Sequence, residues 1–186
     1  MAKLIYSTLM SLDAFIADAQ GNFDWAEPDG EVHAFINDQF RDCSTHLYGR
    51  RMYEVMRVWD SDEMMRGMPD YIQDFAGIWR AAAKVVYSRT LENTTTSRTR
   101  LERQFDAGAV ERLKETAPGN LAIAGPTLAA HAFSTGLVDE CHMFVAPIAV
   151  GGGVAAFPVG SSVKLGLTEQ RRFSNGMVYL RYSVCP

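Results

Sequence analysis

Three short segments set a glycine or a strand end beside residues that hold phosphate. In Leu47-Tyr48-Gly49-Arg50-Arg51 an apolar run stops at a glycine and continues with two arginines. Glycine lets a backbone approach a ligand closely, and a guanidinium can give a phosphate two parallel N–H bonds. A glycine turn with two solvated arginines fits the same residues. Val85-Val86-Tyr87-Ser88-Arg89-Thr90 ends a second apolar run on Ser, Arg and Thr. These suit the 2′-phosphate of a dinucleotide, although polar residues end most strands. Ala124-Gly125-Pro126-Thr127 joins an apolar run to a helical one. Pro126 suits the first helical position, and the N–H groups after it suit a pyrophosphate. A plain strand-to-helix connection is the alternative. GxGxxG is absent, which disfavours a Rossmann domain.

A fourth segment, Ser11 to Trp25, is long for a connection in a compact domain and reads as a lid or binding loop. Asp13 lies close to the end of the preceding apolar run, where it can face a ligand. Asp18 and Asp24 read as solvated, and Trp25 as core or lid. His33, His46, His131 and His142 lack metal-ligand spacing, so no metal is expected. No nucleophile elbow and no catalytic Cys–His pair is found. Asp139-Glu140 reads as a capping turn. Cys43, Cys141 and Cys185 are odd in number and fit no zinc or redox pattern, as expected of reduced thiols in a cytoplasmic protein.

The elements that must position these residues alternate in type. Lys3–Met10 is an unbroken apolar strand. A helix follows over Asp29–Cys43, with Asp29 as N-cap. Then come a strand at Thr45–Tyr48, a helix at Arg51–Arg57, and a helix at Pro69–Ala82. A strand at Lys84–Ser88, a loop at Glu92–Arg100 and a possible strand at Arg100–Phe105 follow. The series continues with a helix at Ala107–Ala117, a strand at Leu121–Ala124, a helix at Thr127–Thr135 with Gly136 as C-cap, and a strand at Glu140–Ile148. Val163–Phe173 and Met177–Val184 flank Ser174-Asn175-Gly176, a hairpin signal. The pattern predicts an α/β fold of three layers, with a mainly parallel central sheet and a C-terminal antiparallel hairpin.

The 186 residues suffice for one domain, 1–186, and not for two ordinary ones. A composition 47% hydrophobic and 22% charged is that of a soluble protein. A net charge of −4 argues against a general nucleic-acid binder. Met1–Met10 lacks a signal-peptide h-region and cleavage site. Cys141–Gly160 has no charged side chain, but Pro147, Gly151-Gly152-Gly153 and Pro158 make a buried strand and glycine turn the better reading than a membrane span.

Taken together, these segments resemble the dihydrofolate-reductase-like reductases related to the C-terminal domain of the bifunctional riboflavin-biosynthesis deaminase–reductase. The matching stretches are Ser11–Trp25, Leu47–Glu54, Lys84–Leu91 and Ala124–Pro158, in the family's order. Ala14 stands where that family usually has Gly, and Ala124-Gly125 replaces its Gly-Gly or Gly-Ser pair. The resemblance implies a dihydrofolate-reductase-like fold and NADPH as cofactor. Gly49, Arg50 and Arg51 would meet its phosphates, and Ser88 and Arg89 its adenosine ribose and 2′-phosphate. Gly125, Pro126 and Thr127 would meet the pyrophosphate. Ser11, Leu12, Asp13 and Trp25 would border nicotinamide and substrate. Asp13 is the first candidate for a catalytic polar group and Glu31 the second. The implied reaction is hydride transfer to a small heterocycle, resembling 5-amino-6-(5-phosphoribosylamino)uracil or a pterin. With no deaminase half in the sequence, the expected role is that of a separate reductase. A dihydrofolate or pterin reductase, a non-catalytic nucleotide binder and a structural dimer subunit are the competing readings. The apolar Phe144–Phe157 region is the candidate homodimer surface.

Overall fold

In the computed structural model, which describes residues 1–160 and 162–185, eight of the ten strands form one sheet. We number them β1 (Leu4–Ser11), β2 (Phe15–Ala17), β3 (Cys43–Gly49), β4 (Ala83–Tyr87), β5 (Thr99–Glu102), β6 (Asn120–Ala124), β7 (Glu140–Ala146), β8 (Val154–Ala155), β9 (Leu165–Arg172) and β10 (Val178–Val184). The order across the sheet is β5-β4-β3-β6-β1-β7-β10-β9. The six strands from β5 to β7 run parallel, and β10 and β9 close one edge antiparallel. β2 and β8 form a separate small ribbon.

The helices are α1 (Gly30–Phe40), α2 (Arg50–Met56), α3 (Asp62–Met65), α4 (Asp70–Ala81), α5 (Ala107–Thr116) and α6 (Pro126–Ser134). Alternation along the strands sends side chains to two cores. Leu47 and Val85 meet Val110 of α5 and Ala129 and Ala132 of α6 on one face. Their neighbours Tyr48 and Val86 meet Val32 and Ile36 of α1, Tyr53 of α2, and Phe75 and Trp79 of α4 on the other. This is the three-layer α/β architecture that the pattern predicts.

Local signals set most element ends. The Asp29 side chain accepts the Val32 N–H at 3.0 Å and starts α1. The hairpin turns at Gly176, with φ +88°, while Asn175 Oδ1 accepts the Met177 N–H. Two expectations are corrected, and one unassigned segment is filled. α1 stops at Phe40, because Cys43 is the first residue of β3, buried by the sheet and not by the helix. Arg57–Asp60 form a 3-10 turn and Asp62–Met65 the short α3, in a stretch the sequence pattern leaves unassigned. Phe144, Val145 and Ala146 are core residues of β7, so that part of the Phe144–Phe157 region offers no surface to a second subunit. Among the described residues no helix is long and apolar enough to cross a membrane.

A polar cluster ties the antiparallel edge to β1. Glu140 is bonded to Lys3 at 2.6 Å, Arg181 at 2.9 Å and His142 at 3.2 Å. Burial raises its pKa, but the hydrogen bonds from Lys3, His142 and Arg181 outweigh burial and hold it at about 2, against an ordinary 4.5. A depressed carboxyl stabilises the fold above its unfolded pKa and loses that contribution as pH falls through the folded value. Acid unfolding of the wild type should therefore steepen between pH 4.5 and 2. Glu140→Gln is expected to remove much of that dependence, as read by circular dichroism against pH.

Candidate functional site

The parallel strands all end on one edge, and β4, β3, β6 and β1 are adjacent there. That edge aligns Ser88 and Arg89, then Gly49, Arg50 and Arg51, then Gly125, Pro126 and Thr127, and finally Ser11, Leu12 and Asp13. Segments more than a hundred residues apart in sequence thus form one row, where ligands gather in open α/β sheets.

At the first end, the Ser88 hydroxyl accepts the N–H groups of Thr90 at 3.3 Å and Leu91 at 3.0 Å, shaping the loop after β4. Arg89 is exposed and its guanidinium has no partner among the described residues. Gly49 is the N-cap of α2. Arg50 Nε binds Glu54 at 2.8 Å and its Nη1 donates to Thr90 Oγ1 at 2.9 Å, so one arginine bridges α2 and the β4 loop. Arg51 is exposed and points to no acidic partner among the described residues. Thr90 belongs to the Ser-Arg-Thr end expected to hold phosphate, while Glu54 is an addition that the local sequence pattern did not single out.

Gly125 caps α6 with φ +90° and ψ 122°, a region that side chains with a Cβ rarely enter. A Cβ there would also stand 3.7 Å from Met52 Cβ of α2. Pro126 opens α6, leaving the N–H groups of its first turn pointing out of the helix end. The methyl of Ala124 packs with the aromatic core containing Tyr48. The residues present therefore fit a dinucleotide: a glycine cradle, a helix start with free N–H groups, and arginines on the adjacent strand ends.

The loop after β1 is stitched to the segment after β7. Asp13 Oδ1 accepts the Ser11 hydroxyl at 2.6 Å and the Val150 N–H at 3.1 Å, and Oδ2 accepts the Gly151 N–H at 2.7 Å. The Ser11 bond and those two N–H groups hold its pKa below the usual carboxylate range. Leu12 N–H donates to Ile148 O, Ala156 N–H to Ala14 O, and the Tyr6 hydroxyl to Ala156 O. Gly153 passes so close to Ala17 that a Cβ would overlap its carbonyl oxygen. The glycine triplet, read from sequence as a turn, is thus half of this latch. Its pairing with residue 13 is invisible locally.

Ala14, where the resembling family has Gly, has φ +64°. Left-handed backbone costs an alanine about 1–2 kcal/mol, and glycine's extra unfolded entropy offsets about 0.5–1 of it. Ala14→Gly should therefore stabilise the fold by about 0.5–1 kcal/mol in chemical denaturation.

Glu31 lies elsewhere. Its carboxylate accepts the Ser174 hydroxyl at 2.6 Å and N–H at 3.1 Å, and pairs with Arg171 at 3.3 Å. The Ser174 bonds, with Arg171, lower its pKa. It fastens α1 to the β9–β10 hairpin, and the row of strand ends does not include it. Trp25 is half-buried in a 3-10 turn, donates to Asn22 O at 3.1 Å, and packs, as Leu9 and Met52 do, against the aromatic core. Among the described residues no cluster suits a metal ion.

Comparison with known proteins agrees with this geometry. The model of the RibD C-terminal domain matches residues 2–179. An uncharacterised protein, YyaP of Bacillus subtilis (strain 168), is 26% identical over 184 residues, covering 97% of this chain and 94% of that one. The crystal structure of a proposed riboflavin biosynthesis protein from Shewanella sp. PV-4 superposes with a TM-score of 0.76 at 21% identity, covering 100% of both chains. RibD of Acinetobacter baumannii gives 0.71 at 14% identity, covering 100% of this chain and 58% of that one. By residues matched, order of elements and arrangement of strand ends, the chain belongs to the RibD C-terminal domain family.

Proposed function

We propose that residues 1–186 act as one NADPH-dependent reductase domain that transfers hydride to a small heterocyclic substrate. The observation that carries this reading is the row of strand ends. Ser88–Arg89, Gly49–Arg51, Gly125–Thr127 and Ser11–Asp13 follow one another in the order of 2′-phosphate, phosphates and nicotinamide along the cofactor. In this reading Arg50, Arg51 and Arg89 bind the phosphates, and the first turn of α6 takes the pyrophosphate. The bound cofactor supplies the hydride. Leu12 and Trp25 border the substrate, and the latch holds them at the strand ends and limits water there.

Neither of the two candidate carboxylates, Asp13 and Glu31, is a free acid able to give the proton that completes the reduction. Asp13 has three hydrogen bonds to its oxygens and a lowered pKa, and Glu31 is spent on the hairpin. We assign Asp13 as a positioning residue and water as the proton source. Asp13→Asn is expected to raise KM several-fold through a loosened loop, with kcat and its pH profile nearly unchanged. A kcat that falls with loss of an acidic limb would make Asp13 the donor instead.

A second substrate reading is favoured by charge. From Leu4 to Phe40 the chain has seven carboxylates and no Lys or Arg. Of this stretch, Ser11–Asp13 and Trp25 border the proposed substrate side and bring one carboxylate and no cation, while the arginines lie on the cofactor side. That distribution suits an uncharged, pterin-like ring better than a phosphoribosyl compound. NADPH oxidation measured across pyrimidine, pterin and quinone compounds tests both readings. Turnover of none, with NADPH bound, would leave a nucleotide binder without reductase activity. A cytoplasmic homodimer completes the proposal, and light scattering tests the dimer.

A further inference from the structure

Beyond the cofactor edge, the opposite edge of the sheet has a cavity of about 380 Å³ where β3, β4 and β5 begin. It lies on the α5 side, lined by Thr45, Arg98, Thr99, Arg100 and Leu113 among others, and none of its lining residues is acidic. Thr45 is 5% exposed, faces the same side as Leu47, and its hydroxyl has no hydrogen-bond partner among the described residues.

Arg98 supplies the charge. Its guanidinium has neither ion pair nor hydrogen bond among the described residues, and its backbone is left-handed, with φ +53°. Pairing to β4 fixes that backbone, since the Arg98 carbonyl accepts the Lys84 N–H at 2.8 Å. Strained non-glycine residues of this kind concentrate at ligand sites. The other polar groups are more committed. Arg100 Nε meets Glu102 at 3.3 Å, and Thr99 Oγ1 donates to Ser97 O at 2.9 Å. The Lys84 ammonium turns to the other face, donating to Trp79 O and Ala82 O. Asp60, the nearby acid, is held by the Ser97 N–H and hydroxyl.

We propose that this cavity is a second ligand site that takes the phosphoryl group of a small phosphorylated metabolite. Arg98 is its charged donor, Thr45 its neutral donor on the cavity wall, and Arg100 stands at its rim. At about 30 Å³ per water the space equals roughly a dozen waters, so it holds a sugar phosphate and not merely inorganic phosphate.

Isothermal titration calorimetry of the full chain tests this, with glucose 6-phosphate, glucose and inorganic phosphate as probes, with and without saturating NADPH. Glucose 6-phosphate should bind saturably, more tightly than inorganic phosphate, and unaffected by NADPH, while glucose should not bind. Arg98→Gly tolerates the left-handed backbone and should fold, yet bind at least about tenfold more weakly. Thr45→Val should weaken binding about threefold to tenfold. The proposal is overturned by absence of saturable binding, by displacement by NADPH, by equal affinity for inorganic phosphate, or by wild-type binding in Arg98→Gly. NADPH binding in the same titrations reports on the reductase reading separately.

Discussion

Removing both guanidinium groups in Arg50→Ala/Arg89→Ala is expected to weaken NADPH binding by about a hundredfold, with NADH affected less. A hydrogen bond to a charged group contributes about 1.5–3 kcal/mol, and each 1.4 kcal/mol is about tenfold in affinity. The two arginines differ in what they give up. Arg89 is exposed and unpartnered among the described residues. Arg50 must exchange part of its Glu54 and Thr90 bonds for phosphate, so its share lies at the low end. Both groups are solvated, so raising salt should narrow the gap between wild type and variant. Equal NADPH dissociation constants in the two proteins would remove the phosphate assignment.

Gly125→Val is the second large effect, and it acts through the backbone. The φ of +90° with ψ 122° belongs almost to glycine alone, and a non-glycine residue there costs about 1–3 kcal/mol. A branched side chain would also press on Met52 of α2. We expect a lower Tm and NADPH binding below detection, because α6 cannot keep its first-turn N–H groups at the end of β6. Gly125→Ala separates the two causes, since it has the same backbone strain and only one added carbon. It should lose stability comparably but retain weak binding. Full NADPH affinity in Gly125→Val would contradict a pyrophosphate at this helix start.

The sequence made most of the long strands legible because they are apolar runs closed by glycine or polar residues, as at Leu47–Gly49 and Val85–Ser88. Asp29 marked the start of α1 and Asn175-Gly176 marked the hairpin, since capping and turn chemistry are local. The individual strand ends were legible for the same reason, and their adjacency along one edge comes from the sheet order. What remained hidden is non-local or weakly patterned. Asp13 depends on N–H groups at residues 150 and 151, and Glu31 on Ser174, neither of which leaves a trace in nearby residues. The β2–β8 ribbon is two or three residues per strand, too short for a period to show. Thr45 read as an ordinary strand residue, and Arg98 as part of a polar loop. Only the packing of α5 against the sheet gives them a shared cavity.

The most direct test of the central claim is a crystal structure of the NADPH complex. The proposed reading places the 2′-phosphate at Arg89, the pyrophosphate at Gly125–Thr127 and the nicotinamide beside Ser11–Asp13, with one ring face open toward Trp25. Density for the cofactor at any other edge of the sheet, or a nicotinamide face closed against protein, would contradict it.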